Sequence, residues 1–386
     1  MKTLIELGDP SPISNVLGTL QFRPKETILI CPRDMAEHRE LKRSMREFFA
    51  YLKIRVKLTF IPVDLLDEQK TEQALREVLA SHDDCAIDIS GGTDAALFAT
   101  GVVSGDTPVF TYSTRRNTFY EIKNAPFARG VPCDVCLDVA SSLLMAAGTL
   151  LPGRADNQIL TERTEQIDSL FSVYSHFRRI WYWQVSYIQK ISSSDPGNLL
   201  AEGALTEDAG NKHVDADPQL FYALEDAGLI LDLAFCEDRI RFRFPDETVR
   251  FWLRDIGSVL ELQVWRACLA AGCFDDVVLS AVVNWQGGQI KNDSVTNEID
   301  VMAVQGIQPV FISCKTCEVH TEALNELAIL RDRFGGKFSR AILATSGPTT
   351  KNRAPVRSRA AKLGIELIEW EDLGLERLIR RLTREG

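Results

Sequence analysis

The chain reads as an α/β protein of two folded parts joined by a helical and hairpin middle. Three observations predict this. Over residues 1–152, short apolar runs alternate with charged, helix-periodic runs, the order of a doubly wound parallel sheet. Over 249–386 the order becomes helix, three strands, helix, strand. Between them, 153–248 carries a long helical pattern followed by an arginine-striped hairpin.

A chain of 386 residues can bury two or three cores. Its net charge of −10 excludes a global attraction to nucleic acid, so any such contact must be a local basic patch. No apolar run reaches membrane-spanning length and no signal-peptide pattern opens the chain, so no membrane partner is expected. Nine cysteines, an odd number scattered through apolar segments, point to reduced thiols and a cytoplasmic setting. The pairs Cys133/Cys136 and Cys314/Cys317 lie too far apart in sequence to suggest one zinc knuckle and read as ordinary thiols.

In the first part, strands are expected at 3–7, 26–32, 55–63, 85–89 and 107–112, with helices at 12–20, 35–52 and 66–80. Ligands of such sheets bind beyond the carboxyl ends of the strands, at the switch point. The loop Ser90-Gly91-Gly92-Thr93 falls there. Its glycines allow close backbone approach, and its hydroxyls and the following helix start supply donors for a phosphate, ribose or nucleotide. A tight strand-to-helix turn is the plain alternative. It is neither a dinucleotide fingerprint nor a Walker A loop. Arg33, just after the second strand, is placed to meet a phosphate.

Pro152-Gly153-Arg154 breaks this pattern. Thr161 is expected to cap a helix reaching 191, whose Ile167, Leu170, Tyr174, Trp181, Val185 and Ile188 recur at helical spacing. At that spacing they suit a core or a dimer better than base stacking. His176, Arg178 and Arg179 read as a solvated face, and the polar, glycine-containing stretch 192–216 as a linker. A short helix at 218–227 precedes strands at 229–235 and 239–244. Arg239, Arg241 and Arg243 alternate with apolar residues, fitting either a winged-helix element with a basic edge or a structural hairpin.

In the last part, the helix 257–271 carries a single acid, Glu261, among apolar residues. Such an acid must reach a polar site or pay desolvation. A strand at 277–285 leads to a hairpin of 299–304 and 309–314, with Gln305 and Gly306 at the turn. Glu298 and Asp300 share one strand face, and Lys315 ends the opposite strand. Two carboxylates and a lysine on one spot suit metal-assisted phosphodiester cleavage: the acids hold Mg²⁺ or Mn²⁺ and the lysine stabilises charge. An exposed hairpin with ordinary surface charges is the alternative. A helix at 321–334, a strand at 341–345, a basic helix at 351–363 (Lys351, Arg353, Arg357, Arg359, Lys362) and a strand at 365–370 complete the part. The basic helix is either a grip for a phosphate backbone or a solvated face.

The run Asn297-Glu298-Ile299-Asp300, the hairpin and Ser313-Cys314-Lys315 resemble the PD-(D/E)xK nuclease core, and the αβββαβ order extends the resemblance over roughly 250–370. Ser313 stands where that family carries an acid. The resemblance implies Asp300, Glu298 and Glu261 around a Mn²⁺ or Mg²⁺ ion and Lys315 beside the attacking water. Either Glu322 or Glu326 could supply the charge missing at Ser313. The first part resembles the CARF domain, a Rossmann-like fold, through its Gly91-Gly92-Thr93 loop and the opening 8–15 loop. That resemblance implies a homodimer binding a cyclic oligoadenylate, with Ser11, Ser14, Asn15, Ser90, Gly91, Gly92 and Thr93 facing the ligand. Asp94 stands where many members carry lysine. Together the two resemblances imply a type III CRISPR-associated nuclease, activated by cyclic tetra-adenylate or a related ring and cutting single-stranded DNA, RNA or both. The alternatives are a catalytically weak, ligand-gated nucleic-acid-binding regulator, a first domain that cleaves its own ligand, and a restriction or repair nuclease indifferent to oligoadenylate.

Overall fold

The computed structural model describes residues 1–37, 39–153, 157–209, 212–287, 294–347 and 353–383. Lys351 of the expected basic helix and Arg154 lie outside the described residues. Seven strands form the first sheet: β1 (Thr3–Leu7), β2 (Glu26–Cys31), β3 (Lys57–Pro62), β4 (Cys85–Asp88), β5 (Val109–Ser113), β6 (Thr118–Lys123) and β7 (Val131–Pro132). Their order is β3-β2-β1-β4-β5-β6-β7, the first five parallel and the last two antiparallel. The winding direction reverses between β1 and β4, so the loops after these strands flank the switch point. The expected helix at 12–20 is a 3-10 turn, Pro12–Asn15, followed by the helix Leu17–Phe22. The stretch 35–52 holds two helices, Arg33–Glu37 and Arg39–Tyr51.

After β7 come the helix Val139–Met145, β8 (Thr149–Leu150), a short helix Asn157–Thr161 and the 28-residue helix Thr164–Ile191. Thr161 does not cap the long helix: its hydroxyl donates back to Asn157 O at 2.7 Å and closes the short one. The expected linker at 192–216 is instead built of β9 (Leu200–Ala204), β10 (Thr206–Ala209) and β11 (Lys212–Asp215). With the helix Pro218–Asp226, β12 (Leu231–Cys236) and β13 (Arg239–Arg243), they form a three-stranded sheet β12-β13-β9 and a β10-β11 hairpin. The buried face of β9 is Ala201 and Gly203, too small to register as an apolar run. A Cβ on Gly203 would lie 2.2 Å from Ile191 Cγ2, so only glycine lets this strand meet the long helix. Of the striped arginines, Arg239 pairs with Glu202 and Arg243 with Asp232, which neutralises most of the expected basic edge.

The second sheet contains β14 (Asp276–Asn284), β15 (Thr296–Gln305), β16 (Gln308–Lys315), β17 (Arg340–Thr345) and β18 (Ile365–Ile368), in the order β18-β17-β16-β15-β14-β8. Its edge strand β8 comes from the end of the first part and pairs with Val283 and Asn284. The hairpin turn is one residue later than expected, because Gln305 pairs with Gln308 and Gly306 takes φ +59°. One face packs on the helices Ser258–Ala271, Leu375–Leu382 and the long helix, through Trp181, Trp265, Val301 and Ile312. The other packs on Thr321–Phe334, Arg353–Lys362 and the first part, through Phe48, Leu143, Met302, Phe311 and Phe334. Among the described residues, no helix is long and apolar enough to cross a membrane. Phe334 is fully buried where the two parts meet, against Trp285 and beside Gly148. Phe334→Ala is expected to cost about 3–5 kcal/mol. In denaturant unfolding, signals from both parts should shift together, because one core serves both.

Candidate active site and ligand loops

Strand alternation reverses in the middle of the second sheet. In β14, Leu279 faces the core of Trp265 while Ala281 faces that of Phe311, and Ser280 between them has φ +52°. In β15 the facing residues Val301 and Ile299 divide in the same way, leaving Asp300 at the reversal. Pairing between β15 and β16 stops at Val301–Ile312. The Asp300 carboxylate therefore reaches across the parted strands: Oδ2 accepts from Cys314 N at 2.6 Å and from the Ser313 hydroxyl at 3.2 Å. Lys315 Nζ stands 3.5 Å from the same oxygen. The acid and lysine expected to converge do so, and Ser313 serves as a donor to Asp300.

Glu261 approaches from the helix Ser258–Ala271. Its own burial, and then the charges of Asp300, Asp255 and Glu298, push its carboxyl up to about 8 against the relief from Lys315. Lys315 is itself half-buried; burial opposes its charge, but Asp300, Cys314 and Glu261 raise its pKa overall. Glu298 and Glu326 line the same small cleft as Asp300, Ser313 and Lys315. Asn297 Nδ2 donates to Glu326 at 3.3 Å, whereas Glu322 accepts from Thr321 Oγ1 and does not line the cleft. Of the two helix acids left open by the sequence, Glu326 is thus the one that faces the cleft.

The strand end bearing Lys315 is braced from the middle of the chain. Its carbonyl accepts from Thr345 Oγ1 and Ser346 N. The Ser346 hydroxyl bonds to that of Tyr174, and its carbonyl accepts from Arg178 at 3.2 Å. Arg178 also lies over the Trp370 ring at 4.0 Å, so it is a structural brace rather than part of a solvated face. Arg357 is paired with Glu369 and Arg359 with Asn325, which leaves less of the basic helix for a phosphate backbone than its sequence suggests.

The donor types suit a hard divalent cation: carboxylate oxygens around a single lysine. A cation would relieve the charge repulsion that burdens Glu261. As they stand, no three His, Cys, Asp or Glu side chains among the described residues are gathered closely enough to hold a metal ion. Holding one would draw Glu261 and Glu298 toward Asp300.

At the switch point of the first sheet, the 8–15 and 90–93 loops pack together. A Cβ on Gly91 would lie 2.8 Å from Asp9 Cβ, and Gly92, at φ +98°, sits on Leu7. Asn15 exchanges hydrogen bonds with the backbone of Asp9, both at 2.8 Å, and so braces its own loop. The Ser11 and Ser14 hydroxyls are buried without a partner. Thr93 caps the helix Asp94–Val103 and donates to Leu65 O, while Ser90 donates to Asp88. Arg33 is exposed and paired with Glu37. The first loop also touches the second part: Lys337 Nζ meets Asp9 at 3.2 Å, and Gly336 packs on Ser11. Nothing local in the sequence marks that long-range contact.

Beneath these loops lies an acid pair that periodicity hides. Glu6 in β1 and Asp88 in β4 are fully buried, each with one oxygen lacking a partner. Gly18 fits over them, since a Cβ there would lie 2.5 Å from Asp88 Oδ2. Burial, and then Asp88, raises Glu6 well above its ordinary 4.5; burial lifts Asp88 to about 7 against the bonds from Ser90. Both shifts are upward, so the stability they confer is complete below the unfolded carboxylate range and is lost as pH rises through about 7. Wild-type unfolding free energy should fall by up to about 2.7 kcal/mol per pH unit, about 1.4 for each acid, while both keep their protons only in the folded state. Glu6→Gln should flatten that fall and raise the melting temperature at pH 8 relative to wild type.

Residues 246–383 match the family described as Card1-like, endonuclease domain. No curated protein sequence matches the chain. Its fold is similar to that of protein VC1899 from Vibrio cholerae, at TM-score 0.75 and 18% identity over 99% of this chain and 97% of that one. It is also similar to Can2 from Sulfobacillus thermosulfidooxidans, solved in complex with cyclic tetra-adenylate, at TM-score 0.70 and 16% identity over 99% and 96%. Glu261, Glu298, Asp300, Lys315 and Glu326 fall inside the matched 246–383 segment. Residues 246–383 therefore match a Card1-like endonuclease domain, which follows a Rossmann-like sheet in a fold similar to that of Can2.

Proposed function

We propose that this protein is a metal-dependent endonuclease that cuts single-stranded DNA, RNA or both, switched on by a cyclic oligoadenylate in type III CRISPR defence. The observation that carries the reading is the Asp300–Lys315 pair within the Card1-like endonuclease segment, with Glu298 and Glu326 lining the same cleft and Glu261 near enough to feel the charge of Asp300 and Glu298. Mg²⁺ or Mn²⁺, held by Asp300, Glu298 and Glu261, would polarise the phosphate and acidify a water. Asp300 orients the Lys315 ammonium, and the bonds from Cys314 N and Ser313 fix the Asp300 carboxylate in turn. Lys315 then offers a positive charge to the phosphate or the attacking oxygen.

Activation by a ring of adenylates, cyclic tetra-adenylate first among them, is supported by the likeness to Can2 over nearly the full chain and by the switch-point loops. A two-fold ring ligand fits a homodimer, whose symmetry would double each contact. A cytoplasmic site of action follows from that role. The ligand must bind the active arrangement better than the inactive one, and the Asp9–Lys337 contact gives the first loop a direct hold on the endonuclease domain. Ser313 brings no charge where an acid is expected, which favours one second reading: a ligand-gated binding protein on a nuclease scaffold.

Cleavage of labelled single-stranded DNA and RNA in Mn²⁺, with and without cyclic tetra-adenylate, decides between them. Ligand-dependent cutting that Lys315→Ala lowers by about a hundredfold or more is expected. Nucleic-acid binding without cutting would favour the second reading. Lys337→Ala is expected to leave basal cutting intact and to lower the fold-stimulation by ligand by about fivefold at most, the range of a partly exposed ion pair. Equal stimulation in both proteins would remove this contact from the switch.

A further inference from the structure

Beside Glu261 lies a second pocket of about 330 Å³. Its lining includes Glu261 and Ser280; the neighbours of Ser280, Leu279 and Ala281, pair with Val301 and Ile299, which flank Asp300. Its walls are apolar: Ile159 from the short helix, Phe251 and Trp252 from the helix Glu247–Arg254, and Leu262 and Leu279 behind them. Ile159 and Phe251 are large apolar side chains left 44% and 49% exposed at its mouth. Thr248 adds a hydroxyl to the lining.

We infer that this pocket receives one unpaired nucleobase of the substrate strand, next to the phosphodiester being cut. The inference rests on the endonuclease reading above. Three features choose this occupant. The pocket adjoins the acid cluster at Glu261 and at Ser280, whose strand neighbours pair with those of Asp300, so what fills it sits close to a phosphate held there. Its walls suit the face of a planar heterocycle, with Phe251 as the exposed ring on which to stack. Its polar groups, Glu247, Thr248, Ser258, Glu261 and Ser280, offer donors and acceptors to a base edge among apolar walls, and no cation among the described residues lines it to grip a backbone phosphate. A base held in a duplex cannot enter without leaving its stack, so the pocket would select single strands by the cost of flipping.

The test uses the full-length protein, short single-stranded oligonucleotides of DNA and RNA, and a series in which one abasic residue is moved through the positions flanking the cut. Single-turnover cleavage is measured for wild type, Phe251→Ala and Phe251→Tyr. With the intact strand, Phe251→Ala should raise the concentration for half-maximal rate by about tenfold, within the range for loss of one base stack, and Phe251→Tyr should restore it. Wild type should show the same loss when the abasic residue sits at one particular flanking position. At that position Phe251→Ala should add nothing further. Losses that add, or a Phe251→Ala protein that cuts the intact strand like wild type, would overturn the pocket while leaving the endonuclease reading in place. A wild-type protein that cuts no strand under any condition would instead overturn the endonuclease reading and this inference with it.

Discussion

The second sheet is apolar on both faces, and neither face can be covered by its own domain alone. One side needs the long helix Thr164–Ile191 as well as Ser258–Ala271; the other needs helices and loops of the first part. Burial on this scale dominates folding free energy, so the demand to cover both faces fixes where every other element sits. It explains why β8, at the end of the first part, is an edge strand of the second sheet. It also explains why Phe334, at the end of a helix lining the cleft, is buried beside Gly148 from the first part. Two parts that share a core cannot move independently without repacking it.

Against that apolar background, the reversal at Ser280 and Asp300 produces the chemistry. A strand in regular alternation would point residue 300 squarely to one face. The positive φ at Ser280 and the parting of β15 from β16 leave Asp300 free to meet the backbone of β16 and Lys315. Glu261 is pressed toward the same point by an apolar helix, where burial and neighbouring acids hold its proton. The acid excess is a strained arrangement for a bare protein and a suitable one for a cation.

The first part follows a related logic. Its loops are shaped by close approach, with Gly91 and Gly92 lying on Asp9 and Leu7, and by side chains that turn inward to hold backbone. Several residues that the CARF resemblance assigns to ligand contact also have structural work: Asn15 braces Asp9, and Thr93 caps a helix. The buried Glu6–Asp88 pair beneath them links the protonation of the sheet to the loop through Ser90.

The sequence by itself missed β6, β7 and β8 but determined the first five strands of the first sheet, the helix and strand order of the last part, the hairpin with Asp300 and Lys315, and the aromatic stripe of the long helix. Each of these is a local pattern: alternation at two, recurrence at three and four, or a short motif. It misread 192–216 because a strand of alanine and glycine has no apolar signal, although Gly203 is required against Ile191. It misread Arg178 because a ring to stack on, Trp370, lies far along the chain. It left Glu322 and Glu326 equal because helix phase relative to a cleft is fixed only by packing. Only the tertiary structure decided which acids meet, that Lys337 touches Asp9, and that Glu6 faces Asp88. These are pairings between elements distant in sequence, settled by how apolar faces cover one another and not by any pattern within a single element.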